Sequence, residues 1–161
     1  MNSFKGILKT LIENQVDFIL IGGVAAVVHG SCRFTNDIDI IYKRSLDNYE
    51  RIIKALTPYS PYLRGAPEGL PFLFDHKTMR QGLNFTLNTT LGAVDLFGEV
   101  PGNGTYESLV NHSDEILIFN LKCLCVNLET LIQLKRASGR AKDLEAISEL
   151  EALSGILNNK K

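Results

Sequence analysis

The side chains best suited to chemistry in this chain are three aspartates: Asp37 and Asp39 in Asp37-Ile38-Asp39, and Asp95 in Ala93-Val94-Asp95-Leu96-Phe97. Both runs are rich in β-branched and other apolar residues, as strands are. Strand side chains alternate between faces, so Asp37 and Asp39 point the same way while Ile38 points into a core. Two carboxylates side by side on an apolar strand repel each other unless water or a cation screens them. An all-oxygen donor set of this kind suits Mg²⁺, which keeps waters and takes phosphate oxygens as further ligands. Asp95 is a misfit between Val94 and Leu96, because strands are poor in aspartate. If its strand lies beside residues 37–42, the three carboxylates form one cluster. Such a cluster holds two metal ions about 3.5–4 Å apart, clamping both oxygens of an in-line displacement. Asp95 would also accept the proton of an incoming hydroxyl. Taken one at a time, these residues read as solvated aspartates at strand ends and a sheet edge; it is their combination that points to a site.

Gly22-Gly23 is the other chemical feature, at the end of an apolar run and the start of an Ala- and Val-rich one. A turn without Cβ atoms lets backbone N–H groups approach a phosphate, and a helix N-terminus adds positive potential. A plain tight turn is the alternative.

The elements that must position these residues are legible in outline. Phe4, Ile7, Leu8, Leu11 and Ile12 share one helical face with Ser3 as cap, which predicts a helix over 4–13. Residues 17–21 read as a buried strand and 24–29 as a short helix closed by Gly30. A second strand covers 37–42, and a helix over 46–56 stops before Pro58. Residues 57–71, with four prolines and two glycines, read as a loop. Residues 83–87 and 93–97 read as antiparallel strands joined by the polar linker 88–92. A turn over 101–104 precedes two more strand candidates, 115–120 and 122–126. Asn127 caps a helix to about residue 138, and a last helix covers 141–153. The order predicts an α/β (α+β) fold, a mixed β-sheet flanked by helices with a helical segment at the C-terminus. Residues 1–161 are expected to form a single domain, about 1–126 an α/β core and about 127–155 the C-terminal helices.

Composition narrows the function classes. Of 161 residues, 45% are hydrophobic and 22% charged, as in an ordinary soluble globular protein. A formal net charge of -1 argues against bulk electrostatic coating of nucleic acid, although a local basic patch can still grip one. The most apolar run, 18–28, is shorter than the ~20 residues that cross a bilayer. With no basic leader ahead of it, the chain is expected to be cytoplasmic with no membrane partner. Cys32, Cys123 and Cys125 have no framework spacing and read as reduced thiols. Cys123 and Cys125 fall on one strand face and read as packing, since no second Cys or His pair at ligand spacing accompanies them.

The order strand, Gly-Gly, helix, strand with Asp-x-Asp, and later strand with a lone Asp resembles the nucleotidyltransferase superfamily typified by DNA polymerase beta. The resemblance sharpens over residues 22–39. There Gly22-Gly23-Val24-Ala25, His29-Gly30, Arg33-Phe34-Thr35 and Asp37-Ile38-Asp39 stand as G-G-x-A, H-G, R-x-T and D-[IL]-D do in small bacterial and archaeal nucleotidyltransferases. Gly23 stands where many relatives have Ser, which removes a hydroxyl ligand for phosphate. Further on, Leu131-Ile132, Lys135, Arg140 and Asp143 resemble the L-I-x-x-K-x-x-x-x-R-x-x-D segment of abortive-infection-type nucleotidyltransferase toxins and their relatives. Residues 57–82 match nothing in these proteins.

The resemblance implies a Mg²⁺-dependent enzyme that moves a nucleoside monophosphate from a nucleoside triphosphate to a hydroxyl of an acceptor: tRNA or other RNA, a protein or a small molecule. It assigns Asp37, Asp39 and Asp95 to catalysis and to two Mg²⁺ ions, and Gly22, Gly23, Arg33, Thr35, Lys135 and Arg140 to the nucleotide. Asp143 would organise the helical lobe or the site. A second copy of the chain (a homodimer) or a cognate antitoxin is the implied partner. Local physics offers alternatives. Lys135 and Arg136 sit near a helix C-terminus, where cations are favoured, and Arg140 and Asp143 are at ion-pair spacing. Arg33 is explained equally as an exposed loop arginine, and His29 reads as a packing or hydrogen-bonding residue. The competing function is a module of the same fold that binds nucleotide or a partner protein without turnover. A metal-dependent phosphatase or nuclease would need no Gly-Gly turn.

Overall fold

The computed structural model describes residues 3–67 and 69–159, and its centre is the apolar strand Phe18–Ile21, buried along its whole length. A strand buried on both faces needs cover on both sides of its sheet, and the helices supply it. Along the chain the elements are α1 (Phe4–Glu13), β1 (Phe18–Ile21), α2 (Gly22–Val28), β2 (Asp37–Tyr42), α3 (Leu46–Leu56), β3 (Tyr62–Leu63) and α4 (His76–Gln81). They continue with β4 (Asn84–Thr89), β5 (Gly92–Phe97), α5 (Tyr106–Leu109), β6 (Ser113–Ile118), β7 (Leu121–Val126), α6 (Leu128–Ser138) and α7 (Ala141–Asn159). The strands form one mixed sheet of order β3-β4-β5-β2-β1-β7-β6. β1 runs parallel to β7 and β2 parallel to β5, while the other pairs are antiparallel. The expected mixed sheet with flanking helices is therefore the fold.

Register decides what reaches the open face. Ile38, Val94 and Leu87 align across β2, β5 and β4, and Asp39, Asp95 and Thr86 form the adjacent row. Neighbouring rows face opposite sides of a sheet. The first row is fully buried, so the second emerges on the far side, where the aspartates stand.

Several elements differ from the sequence expectation. Residues 57–71 carry a 3-10 turn, Thr57–Tyr59, and the two-residue strand β3. α4 follows, capped by Asp75 and anchored by buried Met79. The linker over 88–92 is shorter than expected because β4 continues to Thr89, whose hydroxyl donates to the Gly92 carbonyl at 2.8 Å. α5 follows the turn at 101–104, closed by a capping box between Thr105 and Ser108. The β6–β7 junction is a tight hairpin, with Phe119 and Asn120 at φ 52° and 63°, the positive values a two-residue turn requires.

α6 is capped by Asn127, whose side chain accepts from the Thr130 amide at 2.9 Å, and is stopped by Gly139, φ 67°. α6 packs on α2 and on α7, which brings the helical segment over the carboxylate face. Cys123 and Cys125 are buried in β7, and burial pushes their thiols up to about 11 and about 12. They pack as small hydrophobes, unreactive at neutral pH. No helix among the described residues is long and apolar enough to cross a membrane.

Candidate active site

Parallel pairing of β2 with β5 sets Asp39 directly beside Asp95, and Asp37 lies two residues along the same face. One carboxylate oxygen from each of the three lies within 4.8 Å of the others. Asp39 is the most constrained member. Its Oδ1 is buried with no hydrogen-bond partner among the described residues. Burial first, then the charges of Asp37 and Asp95, push its carboxyl up to about 8, against the weaker pull of Lys135. Burial also raises Asp95, partly offset by the hydrogen bond and charge of Arg64. An orphaned carboxylate oxygen among like charges is what a hard divalent cation relieves, and the all-oxygen donor set fits Mg²⁺.

Arg64 is the functional-site neighbour that sequence reading missed. It follows Leu63, which pairs with Leu87 of the core row, so alternation turns Arg64 to the carboxylate face. Its backbone amide donates to the Thr86 carbonyl at 2.9 Å. Its guanidinium donates to Asp95 Oδ1 at 2.7 Å and lies 3.6 Å from Asp37 Oδ2. A two-residue strand in a Pro- and Gly-rich stretch offers no periodicity by which this could be read.

The glycine pair has a steric role. Gly22 has φ 67°, and a Cβ there would fall 2.1 Å from Asp39 Oδ2. A Cβ at Gly23 would fall 2.6 Å from Thr35 Oγ1 and 2.9 Å from its Cβ. The missing side chains are thus filled by the groups that close the site, Asp39 and Thr35. The Thr35 hydroxyl itself donates to the Asp37 carbonyl at 3.1 Å. This packing makes a prediction about any side chain at position 23. Gly23→Ser alone should destabilise the chain by about 1–3 kcal/mol through overpacking, and Thr35→Gly in the same chain should return most of it. Urea unfolding of the two single variants and the double reads the coupling; additive effects would contradict it.

Two cavities meet at Asp39. One of about 340 Å³ is lined by Gly22, Gly23, Arg33, Thr35, Lys135, Arg140 and Lys142, among others. The other, about 270 Å³, has an apolar wall of Phe97, Val100, Pro101, Leu131 and Leu134. Lys135 reaches both and is held 3.7 Å from Asp143 Oδ1. Asp143 is buried at the start of α7, accepting from Ser138 Oγ at 2.5 Å and from Arg140 Nε at 2.6 Å. Burial would raise its carboxyl, but these hydrogen bonds and the charges of Arg140 and Lys135 win and hold it below the ordinary range. The structure thus gathers the glycines, Arg33, Thr35, Lys135 and Arg140 around one cleft with the carboxylates. Arg136 points elsewhere and pairs with Glu151. His29 donates from Nε2 to the Val126 carbonyl at 2.8 Å, tying α2 to β7.

The sheet and its helical cover are shared with two solved structures. A Thermotoga maritima protein assigned as a nucleotidyltransferase superposes with a TM-score of 0.55 at 15% identity, over 96% of this chain and 90% of its own. The lincosamide antibiotic adenylyltransferase LnuA, solved with lincomycin bound, gives 0.60 at 19% identity, over 94% of this chain and 98% of its own. No protein-family model and no curated protein matches the sequence.

Proposed function

We propose that this chain is a divalent-cation-dependent nucleotidyltransferase that moves a nucleoside monophosphate from a nucleoside triphosphate to an acceptor hydroxyl. The observation that carries the proposal is the half-buried Asp39 carboxylate, whose buried Oδ1 has no hydrogen-bond partner among the described residues, standing with Asp37 and Asp95 where a cleft bearing Arg33, Lys135, Arg140 and Lys142 meets a cavity with an apolar wall. Asp37, Asp39 and Asp95 would hold Mg²⁺, in one or two ions. When bound, the metal neutralises charge on the transferred phosphoryl group and the leaving pyrophosphate.

The chain's own residues do the rest. The 340 Å³ cleft takes the triphosphate, with Lys135, Arg33 and Arg140 offsetting its charge and Gly22, Gly23 and Thr35 forming its floor. Lys135 is oriented by Asp143. Asp95, whose proton affinity burial raises, takes the acceptor proton. The acceptor oxygen bonds to the α-phosphorus as the bond to pyrophosphate breaks, so each turnover releases one pyrophosphate and leaves the proton on Asp95.

LnuA is by name an adenylyltransferase of an antibiotic, and the apolar 270 Å³ cavity beside Asp39 suits a compact, partly apolar hydroxylated molecule. We therefore favour a small-molecule acceptor over RNA or protein. The reaction needs the magnesium and nucleoside triphosphate of a cytoplasm. The cleft is lined by β2 and α2 as well as α6 and α7, which favours a single domain over separable parts.

The test is transfer of label from each α-³²P nucleoside triphosphate, with Mg²⁺, to hydroxylated small molecules, tRNA and protein in parallel. Transfer that disappears in Asp39→Ala supports the reading, and the labelled product names the acceptor. Label on RNA or protein would replace the small-molecule assignment and point to a toxin. No transfer to any acceptor, or equal transfer by Asp39→Ala, would sink the enzyme and leave a binding module.

A further inference from the structure

The carboxylate face already contains a cation of its own. Arg64 donates from Nη2 to Asp95 Oδ1 at 2.7 Å, and its Nη1 lies 3.6 Å from Asp37 Oδ2. The guanidinium is not a loose surface group. Nε donates to Asn88 Oδ1 at 3.1 Å and Nη2 to the Leu87 carbonyl at 2.9 Å, so β4 holds the fork in place. Two of the three carboxylates that would carry a metal ion are thereby tied to one fixed positive charge. A divalent cation among the same oxygens would stand within a few ångströms of that charge, and like charges so close are strongly unfavourable in a partly buried site.

We infer that Arg64 is the built-in counter-ion of the carboxylate triad and that a divalent cation enters only in exchange for it. Without metal, Arg64 draws Asp37 and Asp95 together and limits their repulsion. With metal, it gives up Asp95 together with its bonds to Asn88 and the Leu87 carbonyl and turns towards solvent. Arg64 is thus a positioning residue that sets how tightly the site takes its cation. Its place in the chain suits the exchange, because the preceding strand β3 has only two residues, pairs on one side alone among the described residues, and Arg64 is followed by Gly65, φ 81°.

The inference rests on the triad being a metal site, and the test separates the two ideas. Mn²⁺ is titrated calorimetrically into the full-length, nucleotide-free protein, its Asp39→Ala variant, and Arg64→Gln and Arg64→Lys. We expect Arg64→Gln to bind Mn²⁺ about tenfold more tightly than wild type. Arg64→Lys, which keeps the charge but loses the fork, should fall between. If wild type binds and Asp39→Ala does not, yet Arg64→Gln binds no more tightly than wild type, the counter-ion role is overturned while the metal site stands. If wild type and Asp39→Ala behave alike, both fall.

A measurement on the unaltered chain guards against poorly folding variants. Trypsin cleaves after arginine, so release of Arg64 should speed scission of Arg64–Gly65 several-fold at saturating Mn²⁺, as followed by mass spectrometry. Unchanged or slower cleavage of that bond, relative to other sites, overturns the inference.

Discussion

Replacing Asp39 with Asn is expected to stabilise the metal-free protein at pH 8 while lowering nucleotidyl transfer by about a thousandfold or more. The gain comes from removing a misplaced charge. In the folded chain burial and the neighbouring Asp37 and Asp95 push the Asp39 carboxyl up to about 8, whereas the unfolded chain gives up that proton near the ordinary value of about 3.9. Between those limits unfolding releases a proton, so the stability linked to Asp39 is whole below about pH 4. It declines as pH rises and is lost above about 8. Asn carries no such linkage, because its amide does not titrate and adds no charge beside Asp37 and Asp95. Thermal melts in chelator should show the variant about 5 °C or more above wild type at pH 8, with the gap closing towards pH 5. Saturating Mg²⁺ should reverse the order, because a ligand raises the midpoint only of the chain that binds it. A wild type as stable as Asp39→Asn at pH 8 in chelator would remove the argument that this carboxylate is destabilised for the sake of a cation.

What the sequence disclosed follows from how local each signal is. Asp37 and Asp39 share a face through strand alternation alone, and Asp95 stands out because strands avoid aspartate. Asn127 is a helix cap legible from its own neighbours, and its side chain does accept from Thr130. The parallel pairing of β2 with β5 is not encoded in either strand, since more than 40 residues of other structure separate Tyr42 from Gly92. β3 exists only because it pairs with β4, and two residues carry no period to read. α4 buries Met79 alone, too little for an amphipathic signature within six residues. Arg64 escaped notice for the same reason. Its importance lies in which strand it borders, and that strand is made by a non-local contact.

The second large effect is expected at Asp143, which touches none of the three carboxylates. It is 3% exposed and accepts from Ser138 and Arg140, with Lys135 alongside. Arg140 is 64% exposed, so solvent screens its share of the pairing. The weight falls on Ser138 and on Lys135, whose side chain is only 14% exposed. Asp143→Ala strands that ammonium at the mouth of the cleft and removes the joint between α6 and α7 just after Gly139. Breaking a buried pair from one side costs about 3 kcal/mol. Loss of orientation at Lys135 should also raise the KM for nucleoside triphosphate by about tenfold or more. The pH dependence runs opposite to that of Asp39. Because the Asp143 carboxyl is held below its ordinary value, the stability it contributes is whole above about pH 4 and fades as pH falls through the folded value. Asp143→Ala and wild type should therefore converge in acid and diverge at neutral pH. If Asp143→Ala lost stability but kept its KM, Asp143 would be a structural joint only, and Lys135 would be placed by the packing of α6 rather than by its ion pair.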